Sequence, residues 1–195
     1  MSRENDPVLA GMLKRRTIVL SGEINAELIG DVRRRFLLLQ FESSDPINLI
    51  IDSPGGSFTP TMELCDLISC VLIAPVRGIA IGSCKSAATL VMLHCAERWG
   101  TPHSQYLIHS GSTKISLPVN QSTAARAEEL LRELKRDEEA VIRMYMSKLK
   151  KTRKQVLGLI ARGDQDFDEC MDVYEAKKVG LITHVIQGKL DIMKV

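Results

Sequence analysis

The chain is predicted to be an α/β protein built on a mainly parallel sheet. Three observations carry this. Short apolar runs at Thr17–Leu20, Ile47–Ile51 and Val76–Ile81 alternate with helix-period segments, and the order β-α-β-α-β-α implies parallel strands joined by crossover helices. The run Ile47–Ile51 is apolar except for Asn48, the pattern of a strand buried on both faces. Strands two and three each run into a turn of glycine, serine and other small residues that leads into a further helix.

At 195 residues the chain suffices for one domain with a full core, and 45% hydrophobic with 26% charged residues is an ordinary globular balance. A net charge of +2, with no basic stripe interleaved with aromatics, gives no electrostatic case for nucleic-acid binding. The opening MSRENDPVLAGMLKRR lacks an apolar signal-peptide core, and no apolar run approaches membrane-spanning length. No membrane partner is expected, and the cytoplasm or an organelle lumen is the default location. Cys65, Cys70, Cys84, Cys95 and Cys170 form no C-x-x-C motif, and their odd number points to a reducing compartment. Cys65, Cys70, Cys95 and Cys170 are read as core positions in apolar settings.

The first strand, Thr17–Leu20, closes at Ser21-Gly22. A helix over Asn25–Gln40 follows from the spacing of Leu28, Val32, Phe36 and Leu39, with Arg33, Arg34 and Arg35 on its solvated face. Ser43-Ser44-Asp45-Pro46 is a turn before strand Ile47–Ile51. In Asp52-Ser53-Pro54-Gly55-Gly56-Ser57 the two glycines permit positive φ and close approach of a ligand to peptide N–H groups. Thr59 as N-cap with Pro60 in the first turn starts a helix through Leu64, Ile68 and Leu72. Strand Val76–Ile81 ends at Gly82, and a small-residue helix begins at about Ser86.

Glu97–Thr101, with the only tryptophan, Trp99, leads to a short strand over Gln105–Ile108 that delivers His109. Ser110–Gln121 reads as an extended or mobile connector. Thr123–Lys150 is a long helix with a stripe of Ala127, Leu131, Leu134, Val141 and Tyr145 and with Glu128/Arg132 and Glu139/Arg143 pairs. At roughly 1.5 Å per residue it is about 40 Å long, so part of it is expected to pack on another subunit. Thr152-x-x-Gln155 restarts a helix that Gly163–Asp168 is expected to break. A helix over Val173–Lys178 ends at Gly180, and Leu181–Ile186 is a last strand. No repeat or linker divides the chain, so residues 1–195 are expected to form one domain.

Ser86 is the candidate nucleophile. It stands where a strand turns into a helix, and the first N–H groups of that helix have no intrahelical partner. With the helix dipole they suit a developing negative charge, and the Ala87 N–H is the first such donor. Acyl transfer through serine also needs a base and a carboxylate to orient it. Of the four histidines, His94 lies inside a helix, His103 in a turn and His184 in the last strand. His109 alone stands at a strand end facing a loop. Spacing leaves the carboxylate open among Asp164, Asp166, Asp168 and Asp172. Cys84 precedes the helix start and is read as packing. Lys85 adjoins Ser86, but neighbouring side chains on a turn diverge, so it is read as directed to solvent.

Five segments resemble the proteolytic subunit of the Clp protease family, and the likeness runs from about Leu13 onward. They are Met12–Gly22 (MLKRRTIVLSG), Ile47–Ser57 (INLIIDSPGGS), Gly82–Ala88 (GSCKSAA), Tyr106–His109 (YLIH) and Asp168–Ile182, where Asp168, Met171, Glu175-Ala176 and Gly180-Leu181-Ile182 carry the match. The resemblance implies a crotonase-like α/β core with a projecting strand-helix handle at about 110–150. It makes Ser86 nucleophile, His109 general base and acid, and Asp168 the orienting carboxylate, with Gly56 and Ala87 supplying oxyanion N–H groups. It implies that an extended peptide lies along Gly55-Gly56 as an added strand. It further implies two stacked seven-membered rings around a chamber, fed with polypeptides by a separate ATP-driven unfoldase. No metal or cofactor is expected, and the chain carries no G-x-x-x-x-G-K-[ST] phosphate loop, consistent with ATP use by a partner. The chain departs from the family in having only about a dozen residues before Leu13, Ser110–Ile115 in place of a glycine-bearing handle strand, and Lys85 in place of a small residue. Two other readings are an inactive ring subunit and a crotonase-type acyl-CoA enzyme.

Overall fold

The computed structural model describes residues 6–111, 123–165 and 170–190. The chain divides into two compact units, Met1–Leu107 with Cys170–Val195, and Ile108–Glu169.

The first unit is built on a six-stranded sheet of β1 (Thr17–Ser21), β2 (Ile47–Ser53), β3 (Val76–Lys85), β4 (Glu97–Gly100), β5 (Gln105–Leu107) and β6 (His184–Val185). The order is β1-β2-β3-β4-β6, with β5 also on β3, and the strand pairs are parallel. Ile47, Leu49 and Ile51 of β2 are buried, as is Asn48, whose Oδ1 accepts a hydrogen bond from Arg77 Nη1 at 3.1 Å. The one polar residue of the run Ile47–Ile51 is thus satisfied internally, as burial requires.

Strand β3 is longer than the sequence suggests, continuing through Gly82 to Lys85. Arg77–Ala80 pair with β4, whereas Ser83–Lys85 pair with β5. Against β2 the register slips: Ile81, Gly82 and Ser83 stand opposite Asp52 alone. Gly82 permits this because a Cβ there would lie 2.5 Å from Asp52 Oδ1, and that same oxygen accepts the Ser83 N–H at 2.8 Å.

Helix α1 (Pro7–Lys14) was not apparent from periodicity because it buries no residue; Asp6 caps it, accepting from Val8 N–H at 2.9 Å. Helix α2 (Ala26–Glu42) is capped by Asn25 and buries Ile29, Val32, Phe36 and Leu39, with Leu28 half-buried. Of the arginine triplet Arg34 is exposed and lies 3.6 Å from Asp31, Arg33 pairs with Glu63, and the more buried Arg35 also pairs with Asp31. Helix α3 (Phe58–Asp66) starts after Ser57 rather than Thr59. Its start is set by the backbone: Ser57 N–H donates to Ile24 O (2.8 Å), and Thr61 Oγ1 donates to Ser57 O (2.7 Å). A π-helical turn, Leu67–Val71, ends it, so Leu72 is extended and Cys70 is exposed rather than in the core. Cys65, Cys84 and Cys95 are buried, and Cys170 is half-buried.

Helix α4 (Ala87–His94) is buried from Ala87 to Leu93. Helix α7 (Val173–Val179) lies between an Asp172/Glu175 capping box and Gly180 at φ 95°. The last strand is shorter than predicted because Leu181 N–H turns back to Ala176 O (2.9 Å) to close α7.

In the second unit, α5 (Thr123–Leu149) packs on α6 (Arg153–Gln165). The predicted Thr152/Gln155 box forms, with Thr152 N–H to Gln155 Oε1 at 2.9 Å and Gln155 N–H to Thr152 Oγ1 at 3.3 Å. Glu139 holds both Arg143 (3.2 Å) and Arg153 (2.8 Å). The C-terminal part of α5 buries Ile142, Tyr145 and Leu149, whereas Leu131 is 53% and Leu134 38% exposed. Helix α6 ends at Gln165, inside the Gly163–Asp168 segment expected to break it, with Gly163 itself still helical. The predicted connector lies mostly outside the described residues. Among those described, no helix is long and apolar enough to cross a membrane.

Candidate functional site

Ser86 has φ 52° and ψ −125°, a conformation rare for a residue with a side chain and worth about 1–3 kcal/mol of strain. Its neighbours impose it. The β3–β5 ladder ends at Lys85 opposite Leu107, and α4 begins at Ala87. The Ser86 N–H donates to Leu107 O (2.8 Å), while Ser86 O accepts Thr89 N–H (2.9 Å) and Thr89 Oγ1 (2.6 Å). Thr89 is fully buried. The serine therefore sits on a sharp, backbone-braced corner where the strand turns into the helix, beside the Ala87 N–H, the first of α4, for which the helix supplies no acceptor.

The glycine pair packs on this corner. A Cβ on Gly55, whose φ is +99°, would stand 2.8 Å from Ser86 Cβ and Lys85 O and 2.9 Å from Ala87 N. The Ser53 hydroxyl braces the turn, donating to Gly22 O (2.6 Å) and accepting Gly55 N–H (3.1 Å). Gly56 bridges to Ile24 through Ile24 N–H to Gly55 O (2.7 Å) and Ser57 N–H to Ile24 O (2.8 Å). In such a parallel bridge the central residue aims its own amide at the opposite edge. The Gly56 N–H thus points away from Ile24, and Gly56 itself is exposed. Ser86, Ala87 and Gly55 are brought together, with Gly56 next in the chain.

His109 belongs to the second unit and is half-buried. The next residue, Ser110, gives both its N–H (2.8 Å) and its hydroxyl (2.9 Å) to Asp164 Oδ1. Asp168 and Asp166 lie outside the described residues, and Asp172 is occupied as the cap of α7. The other histidines have different settings. His94 Nδ1 is 2.8 Å from Leu90 O, His184 stacks on Trp99 with centroids 5.0 Å apart, and His103 is in an exposed turn. Burial pushes the Cys84 thiol far above the ordinary thiol range and its Sγ lies 3.6 Å from Ala88 O, in agreement with a packing role. Sequence gives no role to Ser53 or Thr89, and it offers Asp164 only as a candidate carboxylate and Gly163 only as a helix breaker; the contacts they make join distant segments, for which residue spacing carries no signal.

The α/β sheet of parallel strands is the fold of solved ClpP structures. ClpP1 from Listeria monocytogenes and a mutant of it superpose with a TM-score of 0.77 at 26% identity, covering 96% of this chain and 99% of theirs. The family model described as Clp protease matches residues 2–189. The ATP-dependent Clp protease proteolytic subunit 2 of Treponema denticola is 29% identical over 98% of this chain and 92% of the relative. That of Treponema pallidum is 32% identical over 93% and 87%. The chain belongs to the Clp protease family.

Proposed function

We propose that this chain is a serine endopeptidase subunit that cleaves unfolded polypeptides into short peptides. An extended substrate adds as a strand along Gly55-Gly56, which makes recognition largely independent of side chains. Ser86 Oγ attacks the scissile carbonyl carbon as His109 takes its proton, with Asp168 holding the imidazole in orientation. The oxyanion is met by the N–H groups of Gly56 and Ala87. Collapse breaks the C–N bond, the amine leaves with the proton from His109, and water, deprotonated by His109, releases the acyl group and restores Ser86. The observation that carries this reading is the conformation of Ser86: a strained corner (φ 52°) at a helix N-terminus with a bare glycine Cα against it.

The same reading makes the chain part of two stacked seven-membered rings, supplied by an ATP-driven unfoldase in the cytoplasm. Exposed Leu131 and Leu134 on α5 support a partner for that helix. A serine-directed fluorophosphonate tests the chemistry. A covalent adduct mapped by mass spectrometry to Ser86, strongly weakened in His109→Ala, is the expected result. Absence of an adduct in an assembled ring favours a scaffold subunit, and turnover of CoA thioesters that survives Ser86→Ala favours an acyl-CoA enzyme.

A further inference from the structure

We propose that Gly163 and Asp164, consecutive residues in the last turn of α6, clamp the backbone on both sides of His109 and so act as positioning residues for it. The inference rests on the reading of Ser86 and His109 given above, and it concerns the second unit alone. Ahead of the histidine, the Ile108 carbonyl lies against the bare Cα of Gly163. A Cβ at that glycine would overlap the Ile108 oxygen, reach within 3.0 Å of its carbonyl carbon and come within 3.2 Å of His109 Cβ. Behind the histidine, Asp164 Oδ1 accepts the Ser110 N–H at 2.8 Å and the Ser110 hydroxyl at 2.9 Å.

Glycine is a poor helix former, so its buried place inside α6 needs a reason other than helix stability. Close approach of another backbone supplies that reason. Residues 108 and 110 are thus both held against one helix, which fixes the backbone on either side of His109. Asp164 spends its Oδ1 on Ser110, which gives it a role distinct from that of Asp168.

The test compares Asp164→Ala with Asp164→Asn in the assembled full-length protein. Asparagine keeps an Oδ1 that accepts from Ser110; alanine does not. The fluorophosphonate reports the maximal labelling rate and the half-saturating concentration, and hydrogen exchange by mass spectrometry reports peptides spanning 108–111. Asp164→Ala is expected to lower the maximal rate on the order of 10²-fold, with the half-saturating concentration unchanged, as for a misplaced reacting group. It also speeds exchange at Ser110. Asp164→Asn keeps the rate within about fivefold, since a neutral acceptor replaces a charged one. A wild-type rate in Asp164→Ala, or equal damage from both substitutions, overturns the clamp while leaving the hydrolase reading in place. A wild-type protein that never labels overturns the hydrolase reading and with it the catalytic role of the clamp. Gly163→Ala gives a second arm, in which faster exchange over 108–111 with a folded ring is expected and unchanged exchange and rate count against the proposal.

Discussion

Ser86→Ala is expected to abolish fluorophosphonate labelling and peptide hydrolysis together, a loss on the order of 10⁴-fold or more, while leaving the unfolding midpoint unchanged. The two halves of that expectation have separate origins. Activity needs the hydroxyl, whereas the corner is held by backbone groups, the N–H on Leu107 and the carbonyl under Thr89. Ser86→Gly sharpens the test. The pair φ 52° and ψ −125° is the mirror image of an ordinary extended conformation, which glycine adopts without penalty. This variant is expected to be equally inactive yet about 1 kcal/mol more stable, read from urea unfolding. Hydrolysis retained in Ser86→Ala would remove the nucleophile from the proposal.

The second large effect is expected at Gly55. In Gly55→Ala the new methyl would stand 2.8 Å from both Ser86 Cβ and Lys85 O and 2.9 Å from Ala87 N. Two of these three are backbone atoms, which have little room to yield. Strain at φ +99° adds to the clash, and together they are expected to lower stability by about 2–4 kcal/mol. Displacement of Ser86 and of the Ala87 amide should also reduce the rate on the order of 10²-fold or more. Gly22→Ala is the control, because Gly22 has φ +90° but nothing within 4 Å of its would-be Cβ. It is expected to lose about 1 kcal/mol from backbone strain and to keep full activity. Equal rates in the two variants would show that the Gly55 contact is unimportant to the chemistry.

Much of the framework was legible because it is local. The apolar run Ile47–Ile51, the Thr152/Gln155 box and Gly180 as the stop of α7 each rest on residues within a few positions of one another, and the structure has all three. The errors fall where a distant segment decides. Strand β3 passes Gly82 because Gln105–Leu107 offers it a second partner. Helix α3 starts at Phe58 because Ser57 is already tied to Ile24. At the candidate site, Ser86 could be named from its place between strand and helix, but the pressure of Gly55 on it could not. Asp168 came from family resemblance alone, since four aspartates satisfied the spacing equally.

The fork in β3 carries a thermal consequence. Its first half is zipped on both flanks, to β2 and to β4, over Arg77–Ala80, whereas beyond Gly82 the outer flank is a three-residue ladder to Gln105–Leu107. Short ladders fray before long ones. Warming should therefore release Leu107, and with it the amide of Ser86, while the longer β1–β2 and β2–β3 ladders are still intact. Heat inactivation then comes several degrees ahead of melting, and reverses on cooling.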